Sequence, residues 1–200
     1  MIRALVVIDV QKSFLLDPLW SANSNPNIVG SVNRLVDSAR AAGDLVIWVL
    51  HGEPGSGGAF DPASGQVCLM DGLEAGPEEP TLTKNMHNAF TTTNLQLLLT
   101  SQGIRHLTIC GIRTEQCVES TARLACDLGY EVDFVLDATA TTPREHWEAP
   151  EGRDLDEILV DPRTLSAAAI LERVAYALSG RFARICSVDE VVAERPSQLV

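Results

Sequence analysis

Five apolar runs recur along the chain: ALVVID at 4 to 9, LVIWVL at 45 to 50, HLTIC at 106 to 110, EVDFVLD at 131 to 137 and ARICSV at 183 to 188. Runs that are apolar almost throughout, rather than at alternate positions, predict strands covered on both faces, as in a parallel sheet. A shorter run, TLTK at 81 to 84, makes a sixth strand. Helical patterns fill the intervals. Ile28, Val29, Val32, Leu35, Val36 and Ala39 share one face and end at Gly43; Leu95, Leu98 and Leu99 end at Gly103; Val118, Ala122, Ala125 and Cys126 end at Gly129. A fourth helix is expected from a Thr164 cap through Ile170, Leu171, Val174 and Leu178 to Gly180. Strand and helix alternate, which predicts an α/β fold: three layers, with a doubly wound, six-stranded parallel sheet carrying helices on both faces.

The 200 residues suit one domain spanning 1–200, and a chain of this size buries roughly 70% of its unfolded surface, ample for a large core. With 27 Asp and Glu against 15 Lys and Arg the net charge is -12, and no basic run interrupts it. Nucleic acid is therefore not an expected partner. The first apolar run is broken by Asp9, so neither a signal peptide nor a membrane span is expected, and the reading is cytoplasmic without membrane association. Two stretches lack periodicity, 52–80 and 139–163. Both follow strand ends, where this architecture builds its ligand crevice, so each reads either as a pocket wall or lid or as a solvated loop.

Chemistry is expected at those strand ends. Asp9 closes the first strand, where a turn-capping carboxylate and a ligand-facing one are both consistent with its position. Lys84 closes the short third strand; it and Lys12 are the only lysines beside 13 arginines, which hints that a compact ammonium is wanted there. Five cysteines, with no C-x-x-C pair, read as free thiols. Cys110 and Cys186 lie inside apolar strands, Cys68 lies in an irregular stretch, and Cys126 faces away from Cys117 on a 3.6-residue helix. Cys117 stands apart: if Thr114 caps the following helix, the thiol sits in its first turn, where the helix dipole favours the thiolate of a nucleophile. Phe14, Trp20 and Phe90 are candidate pocket walls, with plain core packing as the alternative.

The blocks VVIDVQKSF at 6 to 14, TKNMHNAF at 83 to 90 and GIRTEQCVESTARLACDLGYEVDFVLDATATT at 111 to 142 resemble, in order, the three signature blocks of the isochorismatase-like cysteine hydrolases, which include nicotinamidase and N-carbamoylsarcosine amidohydrolase. The resemblance implies a Rossmann-like fold, a homo-oligomer, and a catalytic triad of Asp9, Lys84 and Cys117. It further implies a cis peptide between Ile112 and Arg113, with the backbone N–H groups of Arg113 and Cys117 forming an oxyanion hole. The implied chemistry is hydrolysis of a small-molecule C–N bond, in an amide, carbamoyl or ureido group, through a thioester, without a cofactor.

Departures from the family narrow the substrate. Nicotinamidases resemble one another in a D-x-H and downstream His metal site after the second strand. Here that region reads LHGEPGSGGAFDPASG, with only His51 and Asp61 as candidates, so no metal is expected. Isochorismatases, which cleave a vinyl ether, carry no cysteine at the nucleophile position. His51, His87 and His146 receive no role. The alternatives are a non-catalytic binding or scaffolding subunit of the same fold, or an isochorismatase or nicotinamidase type of activity. A dinucleotide-binding protein is excluded because the turn after VVID reads VQKSFL and holds no G-x-G-x-x-G.

Overall fold

The structure is a computed structural model that describes residues 3–195. Its strands are β1 (Ala4–Ile8), β2 (Leu45–His51), β3 (Thr81–Lys84), β4 (His106–Ile112), β5 (Glu131–Ala140) and β6 (Arg184–Cys186). They form one sheet in the order β3-β2-β1-β4-β5-β6, and every pairing is parallel. The strand order reverses between β1 and β4, the two strands that lead into Asp9 and Cys117, and such a reversal opens a crevice at the carboxyl edge.

The alternation of side chains along each strand divides the core in two. Ala4, Val6 and Ile8 of β1 face a cluster completed by Leu95 and Leu99 of α2 (Leu95–Ser101), Val118, Ala122 and Ala125 at α3 (Glu119–Asp127), and Ile170, Val174 and Leu178 of α5 (Ala167–Leu178). Leu5 and Val7 face the other cluster, with Val32, Leu35, Val36 and Ala39 of α1 (Ile28–Ala42) and Val188 and Val191 of α6 (Val188–Glu194). The buried positions of α1 fall at helical spacing on one stripe, and Gly43 ends it at φ 72°, a conformation that glycine takes without a steric penalty.

Three local expectations change. The cap of α5 is Ser166, whose hydroxyl accepts from the Ala169 amide, and not Thr164. Strand β5 continues past residue 137 to Ala140 by way of a register shift opposite Ile109 and Gly111, which an apolar-run reading misses because the extension consists of Ala and Thr. The stretch 139–163 contains a short helix, α4 (Leu155–Val160), nucleated by a reciprocal Asp154–Glu157 capping box. Among the described residues no helix is long and apolar enough to cross a membrane.

Candidate active site

Asp9, Lys84 and Cys117 converge at the carboxyl ends of β1, β3 and β4. Asp9 takes a left-handed backbone conformation, φ 54°, immediately after β1, with its amide donating to the Val49 carbonyl at 2.8 Å. That turn aims the carboxylate into the crevice rather than along the strand. Lys84 ends β3 opposite His51 of β2. Its fully buried ammonium donates to Asp9 Oδ2 at 2.7 Å and to Cys117 Sγ at 3.3 Å, and its third near neighbour is His51 Nδ1 at 3.2 Å. Asp9 Oδ1, by contrast, is buried without a hydrogen-bond partner.

Cys117 lies in a single π-helical turn, Thr114–Val118, that joins β4 to α3. Thr114 does not cap it: its hydroxyl donates to Thr139 Oγ1 at 2.8 Å instead. The approach of β4 to the site depends on Gly111, at φ 128°. A Cβ there would lie 1.9 Å from the Ile8 carbonyl oxygen, so any other residue would push apart the two strands that carry Asp9 and Cys117. The Ile112–Arg113 peptide is cis. Among the described residues the Arg113 amide, which follows the end of β4, donates to no backbone carbonyl in a turn, cap or loop.

Burial dominates the electrostatics. It pushes the Cys117 thiol up to about 12, reinforced by the neighbouring Asp9 charge and only partly offset by Lys84. This corrects the expectation of a resting thiolate: the helix-start argument counts the dipole and leaves out the loss of water around Sγ. Burial likewise raises the Asp9 carboxyl above its ordinary value, against the opposing pull of Lys84 and of the Cys117 and His51 side chains.

The groups open onto a cavity of about 250 Å³, lined also by Phe14, Phe60, Glu53, Asn85, His87 and Arg113 among others. Phe14 is a wall, as expected. Trp20 is not; it packs behind Phe14 at 6.0 Å between ring centroids. Phe90 belongs to the core, stacked on Tyr130 at 6.0 Å beneath the sheet, which corrects its assignment as a substrate contact. The true second wall is Phe60, edge-on to Phe14 at 5.1 Å. It comes from the 52–80 stretch, which therefore does build the pocket. The 139–163 stretch does not line this cavity but supports it from behind: Thr139 accepts from Thr114 in the Cys117 turn, and Thr142 with Asp17 binds the Arg113 guanidinium. His146 stacks on Trp147, outside the cavity.

Of the two metal candidates, His51 faces Lys84, and Asp61 accepts from the Gly57 and Ala63 amides to hold its own loop. Among the described residues no group of three His, Cys, Asp or Glu side chains is placed to hold a metal ion. Wider depressions of about 340 and 620 Å³ lie elsewhere on the surface, but neither brings a thiol, a carboxylate and an ammonium together.

Comparisons with known proteins agree with this architecture. Residues 3–151 match the model of the isochorismatase domain. The isochorismatase family protein YrdC of Bacillus subtilis (strain 168) is 27% identical over 191 residues, covering 95% of this chain and 94% of that protein. A streptothricin hydrolase of Streptomyces noursei is 37% identical over 142 residues, 70% of this chain, which spans only 55% of that longer protein. Among solved structures, an isochorismatase from Pseudomonas putida KT2440 superposes with a TM-score of 0.78 at 31% identity, covering 94% of this chain and 89% of that one.

Proposed function

Because the chain belongs to the isochorismatase family of hydrolases, we propose that it is a cysteine hydrolase that cleaves a C–N bond of a small amide, carbamoyl or ureido compound through a thioester. One observation carries the proposal: the Lys84 ammonium lies 2.7 Å from a carboxylate and 3.3 Å from a thiol, and both of those groups face a cavity of small-molecule size. Burial keeps Cys117 protonated at rest, and the same burial makes Asp9 a stronger base than a solvated carboxylate. In the proposed cycle the Cys117 proton passes to the open Oδ1 of Asp9 as Sγ attacks the carbonyl carbon, and Lys84 stabilises the developing thiolate. The carbonyl electron pair moves onto oxygen, where the Arg113 and Cys117 amides form the oxyanion hole. The C–N bond then breaks, Asp9 gives its proton to the departing amine, and a thioester remains. Water, losing a proton to Asp9, attacks the thioester; the C–S bond breaks and the proton returns to the thiol.

Charge narrows the substrate. The Arg113 guanidinium is already bound to Asp17 and Thr142, and Glu53 stands half-exposed at the cavity wall. The cavity therefore offers an anionic substituent no free arginine or lysine and favours an uncharged or cationic amide. With His51 and Asp61 engaged as described, the reaction is proposed to need no metal. A panel of uncharged, cationic and anionic amides and ureides, assayed for ammonia or amine release before and after chelator dialysis, tests this reading with Cys117→Ala as the blank. The expected result is turnover of uncharged or cationic members, unchanged by dialysis and absent in the variant. Hydrolysis that survives Cys117→Ala, or that disappears on dialysis and returns with zinc or manganese, overturns it.

A further inference from the structure

His51 received no role from the sequence, yet both its backbone and its ring are held at the site. Its backbone is clamped by the fully buried Gln11, whose Oε1 accepts from the His51 amide at 2.7 Å and whose Nε2 donates to the His51 carbonyl at 3.0 Å. Gln11 Nε2 also donates to Ser13 Oγ at 2.9 Å, so the clamp is itself tied down. The imidazole meets the Phe60 ring edge-on, at 5.6 Å between centroids. Its two nitrogens face opposite kinds of group: Nε2 lies 3.1 Å from Glu53 Oε1, and Nδ1 lies 3.2 Å from Lys84 Nζ.

These partners determine where the ring proton sits. An ammonium has three N–H donors and no acceptor, so the nitrogen facing Lys84 must present its lone pair, whereas the one facing a carboxylate must present N–H. Asp9, Cys117 and His51 then accept one ammonium hydrogen each, and Lys84 is left with a single orientation. We propose that His51 is a positioning residue, held by Glu53 as the Nε2–H tautomer, that accepts the third hydrogen of Lys84 and so aims the ammonium between Asp9 and Cys117. The consequence for catalysis rests on the triad reading above; the hydrogen-bond assignment does not.

The test uses the chain's four histidines, few enough for each ring to be resolved by long-range ¹H–¹⁵N correlation in histidine-labelled protein. His51 should show the Nε2–H tautomer at neutral pH, with its Nδ1 resonance moving in Lys84→Met and its Nε2 resonance moving in Glu53→Gln. An Nδ1–H tautomer, an imidazolium, or an Nδ1 resonance indifferent to Lys84→Met would overturn the assignment. A second readout is the rate at which iodoacetamide alkylates Cys117, referred to Cys68 in the same molecule. Loss of a hydrogen bond to a charged group should slow it about tenfold in His51→Leu, whereas His51→Gln, which still offers an acceptor, should stay within about threefold. Equal slowing in the two variants would mean that His51 only fills space. Should these results hold while Cys117→Ala still hydrolyses substrate, the triad reading fails and the positioning of Lys84 by His51 stands.

Discussion

At the edge where the strands begin, Asp133 of β5 lies 2.6 Å from His106 Nε2 and accepts from Arg184 Nε at 2.7 Å, and Arg184 also grips Glu194 through two nitrogens at 2.6 and 2.8 Å. At the edge where the strands end, Asp9 has one partner for two oxygens and Cys117 is buried beside it. Burial pushes both carboxyls up. At Asp133 the His106 and Arg184 hydrogen bonds outweigh burial and hold the group below the ordinary carboxylate range; at Asp9 burial wins over Lys84. The same residue type on the same sheet thus serves two ends. Where charge is fully paired it stabilises the fold, and where an acceptor is left open the group is ready to take a proton.

The sharpest way to break this contrast is to remove the ammonium from the strand-end site. Lys84→Met should lower turnover by ~10²-fold or more, since preorganised charge stabilisation is typically worth that much. Steady-state ammonia release measures it, and a loss of less than tenfold would place the reacting groups elsewhere.

A second test concerns the approach that brings those groups together. Gly111→Ala combines a left-sided φ with a Cβ driven into the Ile8 carbonyl. Overpacking of this kind with backbone strain should cost about 3 kcal/mol of unfolding free energy. Urea denaturation reads this directly, and a variant as stable as the parent would show that β1 and β4 need not meet so closely.

At the opposite edge the prediction concerns pH. Asp133→Asn removes a carboxylate that is 3% exposed and bonded to charged or chargeable donors, and should destabilise by about 1–3 kcal/mol at neutral pH. Because the folded carboxyl is held below its unfolded value of about 4, its contribution is complete above that pH and is lost as the pH falls below it. The stability gap between parent and variant should therefore close on acidification. A gap as wide at acid pH as at neutral would mean that Asp133 acts by shape and not by charge.

What was legible in the sequence is what a strand end announces locally. Asp9, Lys84 and Cys117 each stand at or just past the end of an expected strand, and parallel strands carry their ends to one edge, so their convergence could be read without knowing a single contact. His51 carries the same signal, as the residue that follows the run LVIWVL, but its meaning depends on the β2–β3 register that sets it against Lys84, and register between separate runs is a long-range property. Phe90 and Trp20 stay ambiguous in the sequence for a related reason: an aromatic near a loop does not say on which face of the sheet it will lie. Phe60 and Glu53 come from a stretch without periodicity, where pattern analysis has nothing to count. The ionisation of Cys117 depends on how much water the finished fold removes, and no local pattern reports that.

The smallest expected effect isolates position from charge. Lys12, the other lysine, follows β1 closely enough that a reading by sequence distance would put it at the site beside Asp9. In the structure its ammonium reaches Asp71 at 2.6 Å across the surface, with the lysine side chain 32% exposed and that of Asp71 89% exposed. Water solvates both charges in the folded and unfolded states, salt screens their attraction, and two long side chains lose freedom to hold one geometry. Lys12 donates to neither Asp9 nor Cys117, whose ammonium partner is Lys84. Lys12→Met should accordingly leave turnover within about twofold of the parent and leave the denaturation midpoint equal to the parent's at low and high salt alike, as expected of a screened pair that contributes nothing measurable. Losses equal to those of Lys84→Met would mean that net positive charge near the β1 end, and not an ammonium fixed between a thiol and a carboxylate, sustains the reaction.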